Sequence, residues 1–417
     1  YSDEALLEAI RAALPTEQAG RDPALRFMGI GAFCLVAFFA LSKRWFGAEG
    51  PALAGRLTAG LGTLNPAEAG RDLWRLAEFA QAHVPVRQAI AEERTFAGLQ
   101  QRLLPLAEGQ AFLERWHAVL ARHGHHARGE VELMNPRWCE TPDVVLGLVR
   151  DYLEALSLNL AVPATRLAEL AEQRAALEQQ CRCWLKNPFK RVLFRWSLDC
   201  ARRGVAVKEN VKSAFIQRLC CARLLLLELG RRLAERGRCA DCNDVFFLEV
   251  EELRPEFLFA ASRGLREIMA VRRAEYERNQ NLRPPPVVFG SGDPSAWQNE
   301  SSVPVAEQLE GLAVSPGLAI GRARVILKPN GQDRVLPGEI LVAPSTDPAW
   351  SPYFLTAAGI AIDLGGMLSH GSILAREYGL PAVTNLGSAT RVVRTGDLVR
   401  VDGTCGRVTI LERAANQ

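Results

Sequence analysis

The sequence predicts a multidomain α+β fold, a large, mostly α-helical domain followed by a compact β/α domain. From Ser2 to about Asn279 apolar residues recur at helical spacing, whereas beyond residue 312 the chain breaks into short β-rich segments punctuated by Gly and Pro. The length of 417 residues points the same way, because single hydrophobic cores stop growing near ~250–300 residues.

Composition narrows the class. There are 50 Lys and Arg against 47 Asp and Glu, a formal charge of +3, with 48% hydrophobic and 23% charged residues. That is ordinary globular usage and excludes disordered and collagen-like chains. A charge near zero gives no support for general nucleic-acid binding. The longest apolar run, Met28 to Leu41, has 14 residues against the ~20 that span a bilayer, so it predicts a buried helix and no membrane span. The opening YSDEALLEAI lacks the pattern of a secretory signal, which predicts a cytoplasmic protein. Residue 1 is Tyr rather than Met, which fits a piece of something longer. The ten cysteines fit reduced, packed thiols; the one CxxC, Cys239 to Cys242, lacks the further ligands of a structural zinc site, and no metal site is predicted.

In chain order, Leu167, Leu170, Ala171 and Leu177 form one helical stripe. Val211, Ala214, Phe215, Leu219, Ala222, Leu226, Leu229 and Leu233 form a longer one. Breaks are expected at Gly50-Pro51, Asn65-Pro66, Gly124, Asn135-Pro136, Thr141-Pro142 and Gly237. The domains are therefore 1–278 (helical), 279–311 (a linker opening on Arg283-Pro-Pro-Pro286) and 312–412 (β/α). Strands are expected at Ala319–Leu327, Glu339–Ala343, Gly359–Asp363, Leu398–Val401 and Arg407–Leu411. One helix stands among them, starting near Ser369-His370 and stopping at Gly379.

That helix opens the most informative stretch, Gly365 to Pro381. Gly365 and Gly366 let a bulky anion approach the backbone. Ser369 is a good N-cap, and His370 sits in the first turn, where unpaired N–H groups and the helix dipole favour negative charge. A neutral imidazole there is a nucleophile whose phosphorylated form would face those donors, with Gly371 and Ser372 leaving room. A satisfied histidine near a helix start is the bland alternative.

These residues resemble the phosphohistidine motif of the mobile domain of phosphoenolpyruvate-utilising enzymes. The similarity continues through Val314-Ser-Pro-Gly317, Gly321-Arg-Ala, Ser345-Thr-Asp-Pro348, Trp350, Pro381-Ala-Val and Val401-Asp-Gly403. The resemblance implies that 312–412 is a swivelling domain, that His370 receives and hands on a phosphoryl group, and that Gly365, Gly366, Ser369, Gly371, Ser372 and Arg376 bind it. No pyruvate-binding barrel follows Leu411, so the arrangement is similar to rifampicin phosphotransferase-like enzymes, in which a helical acceptor domain precedes the mobile domain. Gly124-His125, Gly129-Glu130-Val-Glu132, Pro136-Arg137-Trp138, Lys208-Glu209-Asn210-Val211-Lys212, Asp244-Val-Phe-Phe-Leu248 and Glu252-Leu253 carry the likeness in the helical part. Two positions depart from that family's pattern, where Lys208 and His126 stand in place of Arg.

Lys208 and Lys212 share a helix face, a like-charge arrangement that costs a few tenths (about 0.2–0.5 kcal/mol) unless an anion lies near. They are suitable clamps for a phosphoryl group leaving His370, with Glu209 orienting a lysine or removing a hydroxyl proton. A solvated basic patch is the alternative. On the acceptor side, His125 and Glu130 read either as an acid/base pair or as a structural turn in which Glu130 partners Arg128 or Arg137. Trp116, Trp138, Trp184 and Trp196 suit an apolar pocket for a bulky hydroxylated or phenolic acceptor, and equally an ordinary core.

The resemblance also implies an ATP-grasp module that phosphorylates the carrier histidine from ATP with release of AMP. No glycine-rich phosphate loop precedes a helix in the first 300 residues. That module is therefore expected either upstream in the same polypeptide or as a separate subunit, taking ATP and Mg2+ with it; no cofactor is expected on this chain. The expected system phosphorylates a small hydroxylated acceptor, as in antibiotic resistance or phenol catabolism, and the chain alone should not turn over ATP. The alternative from another class is a non-catalytic binding module with a vestigial mobile domain.

Overall fold

The computed structural model describes residues 2–14, 23–61, 65–157, 163–259, 264–280, 307–328, 334–347 and 350–414. In chain order the helices are α1 (Asp3–Ala13), α2 (Pro23–Phe46), α3 (Gly50–Leu57), α4 (Asn65–Ala82), α5 (Val84–Glu92), α6 (Phe96–Leu103), α7 (Ala107–His123), α8 (Pro142–Ser157), α9 (Pro163–Trp184), α10 (Pro188–Glu235), α11 (Pro255–Leu258) and α12 (Leu265–Asn279). Eight strands follow: β1 (Gln308–Glu310), β2 (Leu312–Ser315), β3 (Leu318–Val325), β4 (Ile340–Ala343), β5 (Gly359–Ile362), β6 (Ala382–Thr384), β7 (Leu398–Asp402) and β8 (Arg407–Glu412). Among them lie α13 (Ser351–Thr356), α14 (His370–Tyr378) and α15 (Ala389–Val392). The architecture is a large helical part with a C-terminal β/α domain.

The compact units do not follow the helix-to-sheet boundary in sequence. One unit comprises 1–22, 131–135 and 214–304; the other comprises 23–130, 136–213 and 305–417. Most of the expected linker, 281–306, lies outside the described residues. The first unit has its own core, in which Leu6, Leu7 and Ile10 of α1 meet Leu226, Leu229 and Leu233.

In the second unit, α4 to α8 close around Leu73, Trp74, Phe112, Trp116, Trp138 and Tyr152. Separately, α2, α3, α9 and α10 meet through Leu35, Phe38, Leu53, Leu177, Phe194 and Leu198. Helix starts and stops sit where backbone chemistry asks for them: α3, α8, α9 and α10 each open on proline at or next to the first turn, and α7 ends at Gly124. The crossing of α2 with α10 depends on Gly31 and Gly204, because a Cβ on Gly204 would lie 2.8 Å from the Gly31 carbonyl oxygen.

The run Met28–Leu41 is not the fully buried helix that its composition predicts. It lies within the 24 residues of α2, burying Leu35, Phe38 and Phe39 while leaving Phe27, Ile30, Phe33 and Val36 exposed. The stretch Arg26–Leu57 is long and apolar enough to cross a membrane by length and composition, with 28% of its most apolar window buried. Hydrophobic run length alone misses this because the contact with α10 needs only one face.

The sheet has strand order β1-β8-β7-β3-β4-β5-β6-β2. β3, β4, β5 and β6 run parallel, and antiparallel strands flank them. Helices cover both faces, so β4 and β5 are buried throughout and read as unbroken apolar runs. Alternation then divides them: Leu341, Ala343, Ile360 and Ile362 face α13 and α14, while Ile340, Val342 and Ala361 join the α15 side.

Replacing Gly204 by Val should overpack the α2–α10 crossing and lower stability by about 1–3 kcal/mol. A shift of the denaturant midpoint to lower concentration, followed by tryptophan fluorescence, is the expected result.

Candidate functional site

The site is organised by the first turn of α14. Ser369 occupies the N-cap with extended backbone, and Gly379 ends the helix in the left-handed region at φ 63°. Ser369 makes no side-chain cap to the helix. Its hydroxyl pairs instead with that of Ser372 at 2.9 Å, and the Ser372 hydroxyl donates to the Gly366 carbonyl at 2.7 Å. This leaves the first-turn N–H groups of α14 uncapped by the serine that precedes them.

Gly371 is required by close approach, since a Cβ there would sit 2.5 Å from Thr346 Oγ1 and 2.6 Å from Ile362 Cδ1. Gly366 faces open space. Arg376 lies deep in the domain, donating to the carbonyls of Val314 at 3.1 Å and Met367 at 2.7 Å, and burial pulls it down to about 10. It braces the glycine loop from behind.

The His370 Nε2 is sealed from solvent and has no hydrogen-bond partner among the described residues. Burial is the first cause that pushes its pKa down, to about 3; the charge of Lys212 adds to this, Glu130 opposes it, and His126 and Lys208 contribute. The ring is therefore neutral and nucleophilic across the physiological range.

The helical residues around it come from α10 and the turn after α7. Lys208 Nζ lies 2.6 Å from Glu209 Oε1 and donates to the Leu368 carbonyl at 2.8 Å, two residues before His370. Lys212 Nζ pairs with Glu130 Oε2 at 3.1 Å. Each lysine thus has its own carboxylate, which answers the like-charge cost visible in the sequence. Burial works against the Lys212 ammonium, but Glu130 and Glu209 more than reverse it and hold its pKa above the ordinary value.

Glu130 is the hub. Its other carboxylate oxygen lies 2.5 Å from His126 Nδ1, and its main-chain carbonyl accepts from Arg137 Nη1 at 2.8 Å. Burial raises the pKa of this carboxyl, but the hydrogen bond and charge of His126, with Lys212, outweigh that and hold it at about 2. A carboxylate so firmly ionised is a poor proton acceptor, and it fixes its neighbours instead. The expected pairing of His125 with Glu130 is therefore corrected: His126 reaches the carboxylate, while His125 Nε2 faces Ser213 Oγ at 3.4 Å. Burial first, then His126, pulls His125 down to about 4.

Sequence reading passed over His126 and Asp347 as site residues. His126 lies four residues before Glu130, the spacing of a side-chain pair, and its ring packs on Trp138 with centroids 5.1 Å apart. Asp347 accepts from the Gly129 N–H at 3.4 Å and bears on the Lys212 charge. The four tryptophans do not share a pocket: Trp116 and Trp138 are core residues, whereas Trp184 and Trp196 are exposed at 49% and 63%. Cys239 is buried, its thiol directed at the Gly230 carbonyl at 3.5 Å and pushed up to about 11.

The pKa of His370 links docking to pH. The docked ring binds a proton only near pH 3, while a released histidine does so near ~6.5. Stability from docking is thus complete above about 6.5 and declines as pH falls toward 3. Between pH 7 and 5, protection factors in 365–378, corrected for the pH dependence of intrinsic exchange, should fall in the wild type and fall less in His370→Asn. His125 contributes equally to both proteins, and the Glu130 contribution begins to fade only below its ordinary value of 4.5.

Known families match both parts of this site. The rifampicin phosphotransferase fourth domain matches residues 24–209, and the PEP-utilising enzyme mobile domain matches 335–406. A rifampicin phosphotransferase of Streptomyces sviceus is 31% identical over 82% of this chain and 39% of its own length. One from Bacillus subtilis is 30% identical over 70% of the chain and 34% of its own length. The prodigiosin synthesizing transferase PigC of Serratia marcescens is 30% identical over 91% of the chain and 42% of its own length. The chain thus spans about two-fifths of these relatives. Its glycine loop and His370, met by the lysines of α10, are parts of one recognisable assembly, and the chain belongs to the rifampicin phosphotransferase-like branch of the PEP-utilising phosphotransferase family.

Proposed function

We propose that this chain carries a phosphoryl group on His370 Nε2 and delivers it to a hydroxyl of a small organic acceptor, rifampicin-like or phenolic. The observation that supports this best is the neutral, sealed Nε2 at the start of α14, in the field of the Lys208 and Lys212 ammonium groups. In the complete system an ATP-grasp module, upstream in the same polypeptide or supplied as a partner, charges His370 from ATP, with AMP and phosphate as co-products.

Delivery breaks the N–P bond as the P–O bond forms, and the ring nitrogen keeps the electron pair. The hydroxyl proton, collected by a carboxylate, restores the neutral imidazole. Glu209, beside Lys208 on α10, is assigned that task, since Glu130 is held ionised at about 2 by His126 and Lys212. Lys208 and Lys212 then exchange part of their carboxylate pairing for the phosphoryl oxygens, an electrostatic clamp whose removal costs about 10²–10³-fold in comparable sites. Since Nε2 is sealed, the β/α domain shifts away from α10 to be charged and returns to Lys208 and Lys212 for delivery, the charged arrangement opening enough to admit the acceptor. That is consistent with a mobile carrier.

The chain incubated with Mg2+, ATP and desalted extract of the source cells should acquire an acid-labile phosphoryl group on the His370 peptide, seen by mass spectrometry after recovery at alkaline pH. His370→Ala should abolish it, while Lys212→Met should keep the charge on His370 and slow its loss to acceptor by about 10²-fold. No phosphoryl group on His370, with or without a covalently attached ATP-grasp module, would favour a vestigial, non-catalytic mobile domain.

A further inference from the structure

A second concavity lies away from His370, at the other end of α14. It measures about 480 Å³, within the usual range of small-molecule sites. One wall comes from α3 and α9, with Leu53, Leu170 and Leu177 supplying apolar surface. The other comes from the β/α domain, through the Ser315–Gly317 turn, Gly379 and Thr404.

Its charge is unbalanced. Arg56 lines it, and the Arg56 guanidinium makes no hydrogen bond or ion pair with any described residue. Arg174 lines it too, spending only Nη1, on the carbonyls of Ala59 and Gly60. Burial and the neighbouring Arg202 disfavour the Arg174 charge, with Glu377 and Glu178 offsetting this only in part, since its pKa remains below the ordinary value. Glu49 is the one carboxylate on the wall. Two guanidiniums with nitrogens to spare, beside leucines, fit an oxyanion attached to an apolar body.

We propose that this cavity binds a small organic oxyanion, a phosphate monoester or a carboxylate on an apolar body, and that its occupancy holds the β/α domain against the helices. The anionic group lies on Arg56 and Arg174, and the apolar body on Leu53, Leu170 and Leu177. Because the cavity exists only while both walls face each other, a ligand there binds the docked arrangement alone and stabilises it by mass action. The site rests on Arg56 and Arg174 and not on Arg376, which also lines the cavity but spends Nη1 and Nη2 on the Val314 and Met367 carbonyls behind the glycine loop.

The test is titration of the 417-residue chain with phenyl phosphate, benzoate and inorganic phosphate, followed by calorimetry and by hydrogen exchange in 170–177 and 315–317. Phenyl phosphate should protect both segments together, and equal protection by benzoate would identify a carboxylate as a sufficient head group. Arg56→Gln, which loses no hydrogen bond or ion pair with a described residue, should weaken phenyl phosphate binding about tenfold and remove the protection, with Arg174→Gln acting likewise. Lys212→Met should leave both unchanged, which separates this cavity from the His370 site. Protection undiminished in Arg56→Gln, protection by inorganic phosphate alone, or no protection by any of the three would overturn the proposal.

Discussion

The packing of a neutral imidazole among paired charges governs the rest of this structure. His370 is compatible with its position only because Lys208 and Lys212 are each held by a carboxylate and because the ring itself carries no charge. An imidazolium at this depth would face two ammonium groups without a counter-ion of its own, Glu130 being already committed to His126 and Lys212. A dianionic phosphoryl group on the ring would change the sign of the problem, since it could share the two lysines with Glu209 and Glu130.

The fold brings these groups together through an apolar anchor and a handful of polar contacts. Ile373 of α14 enters the core of α2, α3, α9 and α10, a burial that contributes roughly 1.5–3 kcal/mol. Around it lie separable polar contacts: the Leu61 N–H on Glu377 Oε1 at 3.0 Å, Lys208 on the Leu368 carbonyl, the Gly129 N–H on Asp347, and the ion pair of Arg334 with Glu154. The exposed pair of Arg334 with Glu154 is worth about 1 kcal/mol or less, whereas hydrogen bonds to a charged group, as the other three are, are worth about 1.5–3 kcal/mol each. His370 Nε2 is sealed in this docked position.

Much of this was legible in the sequence, for local reasons. The stop at Gly379 and the start at Ser369 are written in backbone preferences, and α14 spans the expected residues. The strands β3, β4, β5, β7 and β8 were readable from β-branched runs, whereas β1, β2 and β6 were not, because three or four residues carry too little pattern to stand apart from loop. Long-range matters escaped. The two lysines were visible as a pair, but the carboxylates that hold them come from an adjacent position and from a turn some eighty residues earlier, and side-chain spacing on one helix cannot choose between His125 and His126 for Glu130. Nor can hydrophobicity alone divide α2 into a face that packs and a face that does not.

Two departures from the family pattern now fall in one place. Lys208 and His126, each standing where the pattern has Arg, both act on the His370 charge. A lysine at 208 keeps the positive charge but trades a rigid fork for a compact ammonium, whose rotatable donors serve Glu209 and the Leu368 carbonyl at once. A histidine at 126 changes more. It is shorter, it lies against Trp138, and its Nδ1 is tied to Glu130, so any positive charge it lends the site depends on a proton where a guanidinium would be permanently charged. Around His370, Lys212 and Lys208 remain as cations whatever the state of His126. On the proposed reading, the exchange of fork for ring has its consequence on the acceptor side, where hydrogen-bond geometry would select a substrate.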